Sequence, residues 1–221
     1  MSNVNWKTPP KLFNLINTAV GGFKVDAAAD QFNHLLPHWY GPGSPLAEDA
    51  LDPFFQWLSP AWCNPPYGKG LEKWLKQFEA QGASGVGVVA LIPASVETGW
   101  WHDWVAKGLE GGSCDVIFLK GRVNFLKPCA HCERTGQCEE TFPEAATNSD
   151  RNYMCCNRGV CEVCDGTGYV EGGSPRFPSA LVFYGPTTTG KIGWLDWKQD
   201  EENKVDSEQD PLSGSDSEGR E

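Results

Sequence analysis

No stretch of this chain approaches the roughly 20 consecutive apolar residues that a helix needs to span a bilayer, so no helical membrane anchor is expected. The first residues, Met-Ser-Asn-Val-Asn-Trp-Lys, lack the basic region and apolar run of a secretory signal. The expected location is therefore the cytoplasm. In that reducing compartment the nine cysteines are expected to be metal ligands or free thiols rather than disulfides. Positive charge is also scarce. Eighteen Lys and Arg stand against 29 Asp and Glu, a formal net charge of −11, which argues against strong non-specific binding to duplex nucleic acid. The deficit is uneven. From Asp196 to Glu221 ten acids face only Lys198, Lys204 and Arg220. This stretch has little apolar content and reads as a disordered acidic tail. The rest is mildly acidic, with 19 acids and 15 bases, which leaves room for transient nucleic-acid contact.

What is present suffices for one sizeable core. The chain has 221 residues, 40% of them hydrophobic, and the apolar pattern alternates between two periods. Thr8-Pro9-Pro10 reads as a helix start with Thr8 as N-cap and Pro9 at the first helical position. Leu12, Leu15, Ile16 and Ala19 follow at helical spacing, and Gly21-Gly22 ends the helix. Phe23 to Asp26 reads as a short strand, and residues 31–60 as irregular. A strand leads into Asn64, and Leu71, Trp74, Leu75 and Phe78 form a helix face. Val86 to Ile92 is a strand buried on both faces. Trp101, Trp104 and Val105 lie on another helix, while Val116 to Leu119 and Ala180 to Tyr184 are further strands. Strands alternating with helices predict a mostly parallel, doubly wound α/β sheet. In such sheets ligands bind outside the carboxyl ends of the strands. Asp26 and Asn64 both fall at strand ends and so face one crevice, although Asp26 also fits a helix cap or turn. The Trp residues at helical spacing read as core packing.

Residues 64–67 are Asn64-Pro65-Pro66-Tyr67, directly after the apolar Ala61-Trp62-Cys63. Such a run can be an ordinary turn after a strand. It also looks like the catalytic signature of S-adenosylmethionine-dependent methyltransferases acting on a planar amino nitrogen. The lone pair of such a nitrogen is delocalised into its ring. Accepting hydrogen bonds from both of its N–H groups localises the pair. Asn64 offers a side-chain oxygen, and Pro65 offers a carbonyl with no competing N–H. Tyr67 offers a flat face for a base, and Pro65 and Pro66 hold the acceptors in advance.

Further segments occur in a characteristic order: Trp6-Lys7-Thr8-Pro9, Phe23 to Asp30, Glu48 to Leu51, Trp62 to Tyr67, Leu91 to Ala94 followed by Thr98 to His102, Gly121 to Phe125, and Pro178 to Val182. This order resembles the phage-type DNA N6-adenine methyltransferases, the Dam family of bacteriophages and prophages. The resemblance covers roughly residues 5–126 and 176–186. It implies a Rossmann-like methyltransferase sheet that binds S-adenosylmethionine. It also implies methyl transfer to the N6 amino group of adenine in DNA, with the base flipped out of the duplex, in a bacterial host cytoplasm. By resemblance Trp6, Thr8 and Pro9 match the segment that closes over the methionine end of the cofactor. Asp26, Ala27 and Ala28 match the first strand and loop of the cofactor site, and Asp49 matches an acidic position near the cofactor's adenine. Asn64, Pro65, Pro66 and Tyr67 match the catalytic motif. The Gly-x-Gly common in other methyltransferases is absent, alanines standing in its place. The cofactor carries no phosphate for a glycine nest to hold. Arg122 lies in a matching segment and reads either as a substrate-phosphate contact or as a surface ion pair.

Seven of the nine cysteines fall between Cys129 and Cys164. Cys129-x-x-Cys132 and Cys161-x-x-Cys164 are paired knuckles, 28 residues apart, a strong structural zinc signal. Asp165-Gly166-Thr167-Gly168 after the second, and Glu133-Arg134-Thr135-Gly136 after the first, resemble the repeat of the DnaJ cysteine-rich domain. Cys129, Cys132, Cys161 and Cys164 are assigned to structural Zn²⁺. His131, Cys138, Cys155 and Cys156 can serve a second site or exchange as ligands, and Cys63 and Cys114 read as buried apolar thiols. The lobe either selects the target near the crevice or is simply stapled by its metal.

The expected organisation is 1–127 as the first part of a methyltransferase domain and 128–172 as the zinc-stapled insert. Residues 173–195 are then the last strand and 196–221 the tail. Other readings are a methyltransferase of RNA base amino groups or protein glutamine, or a zinc-dependent nucleic-acid-binding module without turnover.

Overall fold

A computed structural model describes residues 6–130, 132–137, 156–157, 160–172 and 175–199. The side chains of residues 156 and 157, together with His131, Cys138, Cys155, and the tail beyond residue 199, lie outside the described residues. The first element is helix α1 (Pro10–Ala19). Its start corrects the expectation that Thr8 caps it. A residue preceding proline is pushed out of helical backbone, and Pro9 precedes Pro10. Pro9 is accordingly extended, at φ −57° and ψ 132°, and is itself the N-cap position; no side chain caps the helix. The Gly22 N–H closes the C-terminus on the Asn17 carbonyl.

The chain then alternates β1 (Val25–Asp26), β2 (Ala61–Cys63), α2 (Leu71–Ala83) and β3 (Val88–Pro93). A π-helical turn (Trp101–Ala106) runs into α3 (Lys107–Gly111) and then β4 (Cys114–Leu119). A lobe follows with β5 (Leu126–Pro128), β6 (Cys156–Asn157), β7 (Val160–Cys161) and β8 (Tyr169–Glu171). The chain returns through β9 (Ser179–Tyr184) and β10 (Ile192–Leu195).

Six strands form the central sheet in the order β1-β2-β3-β9-β4-β10. Five run the same way and β9 runs against them, pairing antiparallel with β3 and β4. Alternate side chains of a strand face opposite sides of a sheet, and both sides here are covered. Ala61, Cys63, Val88, Ala90, Ile92 and Val182 pack with Leu75 and Phe78 of α2 and with Trp101 and Val105 of the π-helical turn. Trp62, Val89, Leu91 and Leu181 pack against Leu12, Phe13 and Ile16 of α1. Each of the six residues of β3 is buried, as its near-continuous apolar run requires. Of the Trp residues at helical spacing, Trp101 is buried in the first cluster and Trp74 and Trp104 pack against it half-buried, in keeping with a packing role. Among the described residues, no helix is long and apolar enough to cross a membrane.

The lobe grows from a two-stranded stalk in which β5 pairs antiparallel with β8. The N-terminal segment joins it. Lys7 and Leu126 exchange both backbone hydrogen bonds, each at 2.9 Å.

Candidate active site

β1 and β2 are parallel neighbours, so their carboxyl ends, Asp26 and Cys63, emerge side by side. Ala27 continues the pairing through its N–H to the Trp62 carbonyl, 2.8 Å. The following backbone is held by residues 38–40. The Asp26 N–H donates to the His38 carbonyl, and the Tyr40 and Ala29 N–H groups donate to the Asp26 and Tyr40 carbonyls respectively. This brings Gly41 so close to Ala29 that a Cβ there would lie 2.0 Å from the Ala29 carbonyl oxygen, and its φ is +134°. Only glycine fits. A cavity of about 370 Å³ opens beyond these strand ends, within the range of small-molecule sites. Its walls include Ala28, Ala29, Asp30, Tyr40, Asp49, Pro66 and Trp74.

Asp26, two residues before the cavity-lining Ala28, does not itself line the cavity; it is only 3% exposed, with Oδ2 accepting the Leu35 N–H at 3.1 Å. Burial pushes its carboxyl up to about 7, against the opposing pull of the Leu35 and Ala28 N–H groups and of Lys7. Burial lowers the Lys7 ammonium, which Asp26 and Asp30 partly offset. Ala27 is fully buried. Asp49 is exposed on the cavity rim, and its Oδ1 accepts the Leu51 N–H at 2.8 Å.

Asn64 follows β2 immediately and is half-buried. Its Nδ2 donates to the Trp6 carbonyl at 3.3 Å. Its Oδ1 accepts from the Tyr67 hydroxyl at 2.7 Å, and the Leu91 carbonyl lies 3.1 Å from the same hydroxyl. The amide is therefore gripped from both ends, and its oxygen keeps one lone pair for another donor. The Tyr67 ring meets Phe125 and Phe177 edge-on, at centroid distances of 6.1 and 5.5 Å. Burial raises its phenol well above the ordinary tyrosine range. Its hydroxyl is thus turned inward as an anchor for Asn64. Pro65 is buried, and Pro66 reaches the cavity wall.

The N-terminal segment meets the motif from the far side. The Trp6 ring packs on Phe125 at 5.8 Å, so Phe125 supports Trp6 and Tyr67 together. Thr8 is 1% exposed, and its hydroxyl has no hydrogen-bond partner among the described residues. Trp6, Thr8, Pro9 and Arg122 do not line the cavity. Arg122 is exposed, and its Nη1 donates to the Pro175 carbonyl at 3.0 Å. It thereby holds the chain two residues before Phe177, the ring that braces Tyr67.

The four knuckle cysteines converge. The Sγ atoms of Cys129, Cys132, Cys161 and Cys164 all lie within 4.8 Å of one another, and all four residues are buried. Cys129 and Cys161 are separated by 3.9 Å and Cys132 and Cys164 by 3.6 Å. A tetrahedral ion with metal–sulfur bonds of about 2.3 Å sets neighbouring sulfurs about 3.8 Å apart, so the donor set fits one metal ion. The knuckles are near copies of each other. Thr135 and Thr167 both donate, through N–H and hydroxyl, to the carbonyl of the preceding cysteine, Cys132 or Cys164. The Gly136 carbonyl accepts the Cys161 N–H at 3.0 Å, and the Gly168 carbonyl accepts the Cys129 N–H at 2.9 Å. Each knuckle completes the other. Cys63 and Cys114 lie in the sheet core, fully buried, and burial pushes both thiols up.

Four residues for which the sequence suggests no site role, Lys7, Asp30, Arg134 and Tyr169, also form contacts here. Arg134 pairs with Asp30 across 104 residues of chain, and Lys7 Nζ sits 5.3 Å over the Tyr169 ring. A signal for Arg134 was present: it stands where the second knuckle has Gly166.

An open, mostly parallel sheet with a cavity beyond its carboxyl ends places the protein among the α/β folds that take small ligands there. Within that class, residues 2–142 match the model of the family described as DNA N-6-adenine-methyltransferase (Dam). That span is well over half of the chain, and the protein belongs to this family. The match includes the first knuckle and ends before the second. Neither the curated proteins nor the solved structures contain a match.

Proposed function

We propose that the protein transfers a methyl group from S-adenosylmethionine to the N6 amino nitrogen of adenine in DNA, a phage-encoded DNA modification. The observation that carries this reading is the Asn64 amide. It is fixed by Trp6 and Tyr67 one peptide segment away from Pro66, which lines the cavity. The cavity fits the cofactor in kind. It is small-molecule sized, walled by small residues where no phosphate needs a nest, and carries a carboxylate, Asp49, at its rim. Asp26, Ala27 and Ala28 belong to the same site, and Trp6, Thr8 and Pro9 to a segment closing over it. The buried Thr8 hydroxyl lacks a described partner, as a group awaiting a ligand would.

When bound, the cofactor supplies a methyl group activated by a sulfonium. The chain's own residues orient its acceptor. The Asn64 oxygen and the Pro65 carbonyl accept the two N–H groups of the adenine amine, which localises the nitrogen lone pair. Held this way, N6 would be placed to take the methyl carbon as its bond to sulfur is given up, with one N6 proton lost to solvent. No strong base is required, because the sulfonium charge disappears in the same step. N6 is out of reach within the duplex, so the adenine is flipped, at a cost of a few kcal/mol. Tyr67 borders the position where the base stacks, and Arg122 lies on the substrate side. Zn²⁺ is the ion proposed for Cys129, Cys132, Cys161 and Cys164, stapling an insert too small for its own core. The sheet is then a Rossmann-like methyltransferase sheet split by this insert, with 1–127 and 173–195 forming one domain around 128–172, ahead of the tail at 196–221.

The test is incubation with labelled S-adenosylmethionine and unmethylated DNA, beside RNA and protein controls, with product nucleosides analysed by mass spectrometry. N6-methyladenine in DNA is the expected product. Label only in RNA or protein keeps the chemistry and overturns the substrate. Cofactor binding with no transfer to any of the three points to a binding module. Asn64→Ala is expected to lower transfer by about 100-fold or more while leaving cofactor affinity nearly unchanged.

A further inference from the structure

The two knuckles share the pattern Cys-x-x-Cys-x-x-Thr-Gly, and the second has a glycine, Gly166, where the first has Arg134. Gly166 of the second has φ +73°, and Arg134 of the first has φ +80°. Glycine is the natural occupant of that conformation, and an L-residue costs about 1 kcal/mol or more there. The knuckle geometry does not call for arginine, since the second knuckle makes the same threonine and cross-knuckle bonds with glycine there. The arginine side chain leaves the lobe instead. Nη2 pairs with Asp30 Oδ2, and the guanidinium stacks over Phe32, 4.8 Å from the ring centroid. Strain of this kind gathers where function requires a side chain.

Its target is a cavity wall. Asp30 Oδ1 accepts the Phe32 and Asn33 N–H groups at 2.8 and 3.1 Å, and the Asp30 N–H donates to Asn33 Oδ1 at 2.6 Å. Asp30 and Asn33 both line the cavity. One oxygen of the carboxylate therefore shapes the turn at residues 30–33 while the other is held by the lobe. The paired side chains are only 14% and 20% exposed, so solvent and salt screen them less than a surface pair.

We propose that Arg134 is a positioning residue through which the zinc-type lobe fixes the cavity wall at Asp30–Asn33, so that cofactor affinity depends on the lobe being folded around its metal. This rests on reading the cavity as the S-adenosylmethionine site. The lobe is then part of the ligand site rather than an appendage to it.

Calorimetric titration of the full, metal-loaded chain with S-adenosylmethionine tests it, with metal content and melting measured on the same samples. Arg134→Gly restores the residue that the backbone favours, so metal stoichiometry and lobe melting are expected to hold. Cofactor Kd is expected to rise about tenfold, with Arg134→Lys in between. Asp30→Asn keeps the turn's acceptor oxygen and loses the ion pair. It is expected to weaken binding similarly, and the double variant to be no weaker than either single one. Equal affinity in wild type and Arg134→Gly overturns the proposal, as does loss of metal from Arg134→Gly. Both of those leave the wild-type cofactor site standing. No binding to the wild type overturns the cofactor reading together with this one.

Discussion

The sheet and the lobe are built from different materials. The sheet buries apolar side chains on both faces, in two clusters that include Trp62, Phe78, Leu91 and Leu181. The buried cluster of the lobe is four cysteines with Val170 packed against them. A sheet of that kind folds by removing apolar surface from water. Among the described residues of the lobe that cluster buries little apolar surface, so the lobe is expected to depend on a bound ion. Arg134 and the Lys7–Leu126 pairing are places where the lobe is tied to the rest of the chain, so a lobe that needs a metal would pass that need on there.

The largest effect expected from this contrast is on metal removal. Structural zinc sites contribute apparent binding energies of about 10–16 kcal/mol near neutral pH. A strong chelator, or Cys132→Ser, should unfold the lobe and leave the sheet's cooperative melting transition in place. A single transition lost together with the metal would erase the distinction between the two regions.

A second test uses pH, to which the regions should respond with opposite signs. Folded Asp26 titrates at about 7 against an ordinary 3.8. Between those values the folded sheet holds a proton that the unfolded chain has released. Stability of the metal-free sheet should therefore fall as pH rises from about 4 to about 7, by on the order of 4 kcal/mol in full. Asp26→Asn should flatten that slope. Metal affinity of the lobe should rise over the same range, because thiols must lose protons to bind. Melting curves across this range, with and without metal, separate the two. A sheet stability independent of pH would mean that the Asp26 carboxyl is not desolvated as the fold places it.

The smallest effect sharpens the comparison from the sheet side. Leu91→Ala empties a fully buried position in the central strand and should cost about 3 kcal/mol. That loss should appear in the sheet transition by denaturant titration, with metal content unchanged.

Much of the site could be read locally. Asn64 to Tyr67 and the two Cys-x-x-Cys pairs are contiguous, and their chemistry follows from residue type and spacing. Strand β3 announced itself because a strand buried on both faces must be apolar throughout. Strand β10 did not. It is an edge strand with Ile192 and Trp194 largely exposed, next to the acidic tail, and it lacks the apolar run of a buried strand. Thr8 does not cap α1, because the dipeptide Pro9-Pro10 excludes helix at its first member, a stronger rule than the preference of threonine for N-caps. The inward anchor role of the Tyr67 hydroxyl depended on Leu91 of β3 standing next to Asn64, just beyond the neighbouring β2, which spacing cannot convey.

The sequence by itself determined the local devices: which segments are apolar on which period, where proline forbids helix, which residues can accept an amino group's hydrogens, and which thiols can hold a metal. Each depends on a few adjacent residues. Only the tertiary structure decided that β9 enters between β3 and β4, that the Trp6 carbonyl meets the Asn64 amide, and that Arg134 crosses from a knuckle to Asp30. Those contacts join residues 58 and 104 positions apart in the last two cases. Their pairing is selected by the packing of the whole sheet, which no local spacing encodes.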